Sequence, residues 1–190
     1  MPQPKSGFFE SSIVPFRIVF LMWLIFSIQF FYGFDFGVFG IRPRTGTGLI
    51  GIFAAPLIHG DYYHLLSNTF PLLFLGSVLF FFYDRIGGTV FFRCYFYTNI
   101  LVWLLSPRDS YHIGASGLVY GITSFLIFFG LIRQDFISLS IAVLILLIYG
   151  GVFFSGVMPS DPRISWEAHL AGALVGGVTA FNLAQKRNST

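Results

Sequence analysis

Polar residues in this chain come in short bursts between long apolar runs. Six runs stand out, over residues 13–31, 63–82, 89–105, 116–132, 136–154 and 168–183. Their apolar residues form blocks and do not alternate with polar ones. Each run approaches the roughly 20 residues that a helix needs to cross a hydrocarbon core, and some fall short of it. The breaks carry turn chemistry: "PRTGTG" before the second run, "YDRIGG" after it, then "SPRDSYHIG", "RQD" and "SGVMPSDPRIS". The longest connection, residues 33–62, mixes Gly, Pro and Arg with the apolar "LIGIF" and reads as a segment lying in the membrane interface. The pattern predicts an all-α membrane protein with six transmembrane helices. A short cytoplasmic N-terminal tail (1–12) and a C-terminal tail (184–190) would flank a core over 13–183.

Composition agrees. Only 10% of the 190 residues are charged and 20% are aromatic, whereas a soluble domain carries about a quarter charged residues. Mean hydropathy is +0.78. This is the profile of a multi-pass protein of the lipid bilayer. A single cysteine, Cys94, excludes an internal disulfide and a cysteine metal cage. The net charge of +3 is too small and scattered to suggest nucleic acid. No A-x-A-like cleavage site follows the first run, which therefore reads as an uncleaved span. The basic residues set an orientation. With a cytoplasmic N-terminus, Lys5, Arg17, Arg85, Arg93, Arg133, Lys186 and Arg187 fall inside, and Arg42, Arg44, Arg108 and Arg163 outside. Both termini would then be cytoplasmic.

The strongly polar residues within the runs share one depth. His64 and Asn68 lie in the first turns of the second run, Ser116 opens the fourth and His169 opens the sixth. Alternate spans run in the same direction, so these residues meet just beneath one membrane face, the outer one in this orientation. Ionisable groups inside a membrane are costly, and several at one level mark a functional site. Helical spacing puts His64 and Asn68 on one face, Ser116 and Tyr120 on another, and His169, Gly172 and Gly176 on a third. Gly117 and Gly121 make a second small-residue stripe beside Ser116. Two such stripes let helices approach backbone to backbone, which would bring the Ser116 hydroxyl towards the His169 imidazole.

That pairing suggests chemistry. A serine becomes a nucleophile when an adjacent base takes its proton, and neutral histidine is the usual base. The oxyanion would need fixed donors, for which His64, the Asn68 amide and the Ser116 backbone N–H are candidates. Converging helix N-termini add positive potential there.

"HGDYYHLLSN" (His59, His64, Asn68), "GASGLVYG" around Ser116 and "AHLAGALVG" around His169 resemble, in order and placement, the signature of the rhomboid intramembrane serine proteases. The likeness runs from about residue 13 to 183. It implies a six-helix rhomboid-like bundle and a Ser116–His169 dyad with no third carboxylate, metal or cofactor. Tyr120 would pack on the His169 ring, and His64 and Asn68 would line the oxyanion hole. Gly114, Gly117, Gly121, Gly172, Gly176 and His59 would support the site. Transmembrane protein substrates would enter between the second and fifth spans and be cut near small residues, under a cap formed by residues 155–165. Many rhomboids carry a Trp-Arg pair in the first loop; here Ile50 and Gly51 stand in its place.

Other readings compete. His59 reads as a loop-positioning residue. His112, four residues before Ser116, is a rival base but reads as solvated, as do the charges of Asp61, Asp109 and Glu167. His59, His64 and His169 could ligate a metal, yet a five-residue spacing turns about 140° around a helix, unlike H-E-x-x-H. A non-catalytic rhomboid-like protein that binds membrane clients would characteristically lack the serine or the histidine. A channel would want polar groups through the midplane.

Overall fold

A computed structural model describes residues 7–159 and 164–185. Lys5, Arg163, Lys186 and Arg187, used above for orientation, lie outside the described residues, as does the middle of the expected cap. The described chain is all-α. Its helices are α1 (Phe8–Ser11), α2 (Ile13–Tyr32), α3 (Gly48–Ala54), α4 (Tyr62–Phe82), α5 (Asp84–Leu105), α6 (Ser116–Arg133), α7 (Phe136–Gly156) and α8 (Trp166–Gln185). Single 3-10 turns occupy Phe36–Phe39 and Ala55–Leu57.

Five helices, α2, α4, α5, α6 and α7, are long and apolar enough to cross a membrane. The sixth expected span corresponds to α8, which is as long as α2 but is not one of these five. Its sequence mixes glycine and alanine with Glu167, His169, Thr179 and Asn182, which lowers its hydropathy.

Local chemistry sets the helix ends. Asp61 caps α4, its carboxylate accepting the His64 N–H at 2.8 Å, and Asp135 caps α7 through the Ser138 N–H at 3.1 Å. Gly33 ends α2 in the left-handed conformation, φ 67°. One expected break is not a loop. "YDRIGG" was expected to form a turn, yet only Tyr83 separates α4 from α5. Asp84 suits the first turn of a helix, and Gly87 lets α5 fold back closely over Leu79 and Phe80.

The bundle is built around α6, which is buried along nearly its whole length and touches α4, α5, α7 and α8. Lipid offers helices no hydrophobic drive to associate, so close packing and interhelical hydrogen bonds hold them together. Both occur between α6 and α8. Glycines 117 and 121 of α6 face glycines 172 and 176 of α8 backbone to backbone, and the Ser124 hydroxyl donates to the Ala173 carbonyl at 2.7 Å. By contrast α7 turns Leu144, Leu147, Ile148, Val152 and Phe154 outward, as a lipid-facing helix does.

The long first connection docks on α5. Tyr95 donates to the Phe53 carbonyl at 2.6 Å, Asn99 to that of Ile52 at 2.9 Å and Trp103 to that of Thr45 at 2.9 Å. The apolar Leu49, Ile50 and Phe53 of α3 remain exposed, consistent with an interfacial segment. Gly51, at the place of the missing Trp-Arg pair, packs directly on the backbone of Gly40 and Ile41, where a Cβ would not fit.

Candidate active site

Ser116 is the first residue of α6 and is half-buried. Gly114, in the loop just before it, has φ +105°, and a Cβ there would stand 2.5 Å from His64 Nε2. The position thus requires glycine twice over, for its backbone and for room beside the imidazole. It also fixes His64 against the strand of backbone that leads into Ser116. The Gly114 N–H is itself held by the Ala55 carbonyl at 2.8 Å. Asn68 is buried one turn along α4 from His64, and its amide donates to the His64 carbonyl at 2.9 Å. One of the two amide N–H groups is used in that bond, and the other is the donor available to a ligand.

The α8 side of the site is assembled by the glycine contact. A Cβ on Gly117 would lie 3.2 Å from the Ala168 carbonyl, so the residues that follow Ser116 and precede His169 touch. His169 is buried and stacked on Tyr120, ring centroids 4.0 Å apart and planes 3° from parallel. Tyr120 is anchored in turn, its hydroxyl donating to the Val152 carbonyl of α7 at 2.9 Å. His169 Nδ1 lies 2.8 Å from the Gly156 carbonyl oxygen. A carbonyl only accepts, so Nδ1 carries the proton and the neutral ring keeps its lone pair at Nε2. A base needs that tautomer. No hydrogen bond joins Ser116 Oγ to His169 in this structure, and catalytic hydrogen bonds are often long without substrate.

His59 is buried beside the site, 1% exposed, its ring edge-on to that of His64 with centroids 4.9 Å apart. The Leu57 backbone lies near the ring, yet neither ring nitrogen reaches a partner in hydrogen-bonding geometry. Burial, with His64 adding to it, pushes its pKa down to about 3. It is a neutral packing group here, with its carbonyl held by Gln29 at 3.1 Å. Among the described residues, no group of three His, Cys, Asp or Glu side chains gathers closely enough to hold a metal ion.

Two expectations of solvation are corrected. His112 is buried, its Nδ1 2.6 Å from Ser165 Oγ and its Nε2 3.0 Å from Ser106 Oγ. Burial lowers its pKa despite the nearby Glu167 carboxylate. Both nitrogens are engaged, so it is a strut and not a base. Glu167 is also buried, and the Arg108 guanidinium grips its carboxylate with Nε and Nη2. Asp61 and Asp109 remain exposed, the first as a helix cap and the second paired with Arg42 at 2.9 Å. The sequence pattern assigns the Gly156 carbonyl, Ser165 and Arg108 no part in the site, and the structure places all three in it. A backbone acceptor carries no sequence signal, although an Arg and a Glu close to Ser116 and His169 in a charge-poor chain did offer one.

A rhomboid domain model matches residues 47–186, a range that takes in His59, His64, Asn68, Ser116, Tyr120 and His169. The chain belongs to the rhomboid family. It is similar to the uncharacterized protein Rv1337 of Mycobacterium tuberculosis, 34% identical over 182 residues, covering 86% of this chain and 71% of that one. It is also similar to the putative rhomboid protease YdcA of Bacillus subtilis, 26% identical over 136 residues, covering 69% and 65%. A plant relative is rhomboid-like protein 11, chloroplastic, of Arabidopsis thaliana, 26% identical over 156 residues and covering 69% and 51%. Rhomboids are in general intramembrane serine proteases. The five apolar helices and the family membership make this chain an integral membrane protein.

Proposed function

We propose that this rhomboid is an intramembrane serine endopeptidase, with Ser116 as nucleophile and His169 as general base and acid. One observation carries the reading. The Gly156 carbonyl and the Tyr120 ring hold His169 in the tautomer and plane a base requires, on the helix packed against the one that Ser116 begins. In this mechanism Oγ attacks the scissile carbonyl carbon while its proton passes to Nε2. The oxyanion is met by the Ser116 N–H, His64 and the free amide N–H of Asn68. Collapse breaks the C–N bond as the imidazolium returns the proton to the leaving amine. Water, deprotonated by the same imidazole, then cleaves the acyl-serine ester.

The substrate is a transmembrane segment, cut near the membrane face where α4, α6 and α8 begin. It enters between α4 and α7, which meet through the stacked rings of Phe74 and Tyr149, centroids 6.2 Å apart. Arg42, Arg44 and Arg108 gather at the site's end of the bundle, and Arg85 and Arg133 lie at the junctions of the opposite end. By their place in the sequence, Lys5, Arg17, Arg93, Lys186 and Arg187 add to the latter group, and this excess over the site's end favours six spans in a bacterial cytoplasmic membrane, with the termini inside and the site outside.

The test is a fluorophosphonate probe on the protein in liposomes, with mass spectrometry locating the adduct. Label on Ser116 that vanishes in His169→Ala supports a histidine-activated serine. A folded protein that takes no label refutes it and favours a client-binding relative.

A further inference from the structure

Neither catalytic helix orients the other's end by itself. The glycine contact sets the distance between α6 and α8, while Ser116 and His169 each sit at a helix start whose direction depends on the preceding loop. Those two loops are joined by a compact polar cluster, unusual in a chain with so few charges. Arg108, in the loop leading to Ser116, presents Nε and Nη2 to the two carboxylate oxygens of Glu167, two residues before His169. The same Nη2 donates to the Ile164 carbonyl at 2.8 Å. Beside it, His112 Nδ1 lies 2.6 Å from Ser165 Oγ, and the Ser165 carbonyl accepts the backbone N–H of His169 at 3.3 Å. The backbone of His112 is paired with Ile41 in both directions at 2.9 Å, so the cluster also stands on the first loop.

We infer that the Arg108–Glu167 pair is a positioning clamp that sets His169 against Ser116, acting through the His112–Ser165 strut. Arg108 and Glu167 are positioning residues and touch no reacting atom. The inference rests on the protease reading. A surface ion pair contributes little, but this one has a carboxylate buried to 7% exposure and a two-pronged guanidinium, the geometry that fixes orientation as well as charge. Lysine would keep the charge and lose the fork.

The test measures the maximal rate of Ser116 labelling by the fluorophosphonate, and its half-saturating concentration, for the full chain in liposomes. Glu167→Gln is expected to lower the maximal rate on the order of 10²-fold, the penalty for about an ångström of misplacement. Half-saturation should stay within about twofold, because the probe's binding surface is untouched. Arg108→Lys should fall between Glu167→Gln and the parent. If a single variant fails to fold, Arg108→Gln/Glu167→Gln decides, since it leaves no buried charge without its partner. The double variant should match the loss of the single one, as members of one unit do. Folded variants that label at the parental rate overturn the clamp and leave the protease reading standing. A parent that never labels at Ser116 overturns both.

Discussion

The α6–α8 contact can be broken by one carbon atom. An alanine Cβ at Gly176 would stand 2.9 Å from the Gly121 carbonyl carbon and closer still to its oxygen, whereas ordinary contact begins at 3.4 Å. The helices must part by 3.4 − 2.9 = 0.5 Å to relieve the carbon alone. Clearing the oxygen, which accepts carbon at roughly 3.3 Å or more, takes about 1 Å. Neither partner can yield, because both are helix backbone already hydrogen-bonded along the axis. Overpacking of this kind costs about 1–3 kcal/mol. Because α8 moves as a rod, His169, about two turns towards the site, shifts with it, and a misplacement of about 1 Å costs on the order of 10² in rate. Gly176→Ala is therefore expected to lower both the thermal midpoint in detergent and the rate of Ser116 labelling.

The neighbouring glycine is the control. A Cβ at Gly177 finds Ser124 Oγ at 3.5 Å as its nearest atom. Gly177→Ala should keep the labelling rate and gain up to about 1 kcal/mol from helix propensity. Parental stability and activity in Gly176→Ala would refute the close-contact reasoning. Equal damage from both alanines would refute it as well.

Two further perturbations separate roles around the histidines. Tyr120→Phe removes the bond to Val152 but keeps the stacked ring, so it should cost about 1 kcal/mol of stability and leave labelling close to parental. A collapse of labelling in Tyr120→Phe would mean that the hydroxyl, and not the ring face, supports His169. The second perturbation is pH. His59 and His112 are buried as neutral imidazoles, with folded values below the 6.5 of the unfolded chain. The unfolded state therefore binds more protons as the pH falls. Their stabilisation is complete above pH 6.5 and is lost below it, that of His59 continuing down to about 3. His59, shifted to about 3, contributes a slope approaching 1.4 kcal/mol per pH unit, and His112 adds to it in the same direction. The thermal midpoint should drop between about pH 7 and 5, and less so in His59→Phe; an unchanged drop would show that His59 is not buried neutral.

Sequence made the bundle legible where a single physical constraint dominates, and hid it where several meet. Crossing hydrocarbon demands long apolar helices, and the expected run 13–31 became Ile13–Tyr32 while 116–132 became Ser116–Arg133. Span direction alone put His64, Ser116 and His169 at one level, and the glycine spacing pointed to the face on which α6 and α8 touch. The same logic misjudged "YDRIGG", because glycine can mark close helix crossing as well as a turn, and only the packed neighbours of Gly87 distinguish the two. It also misjudged Glu167 and His112. Each alone is a polar residue in a loop, for which water is the default partner. Arg108 and Glu167 lie 59 residues apart, and their pairing follows from the glycine contact that draws the two loops together. The Gly156 carbonyl is the extreme case, because every residue has one. What selects it is the absence of a side chain at a point crowded by the Tyr120 hydroxyl, with His169 Nδ1 3.3 Å from where a Cβ would stand. Among the described residues the partner of His169 Nδ1 is this carbonyl and not a carboxylate, so a glycine that lets the backbone come close can take on the task of orienting a histidine.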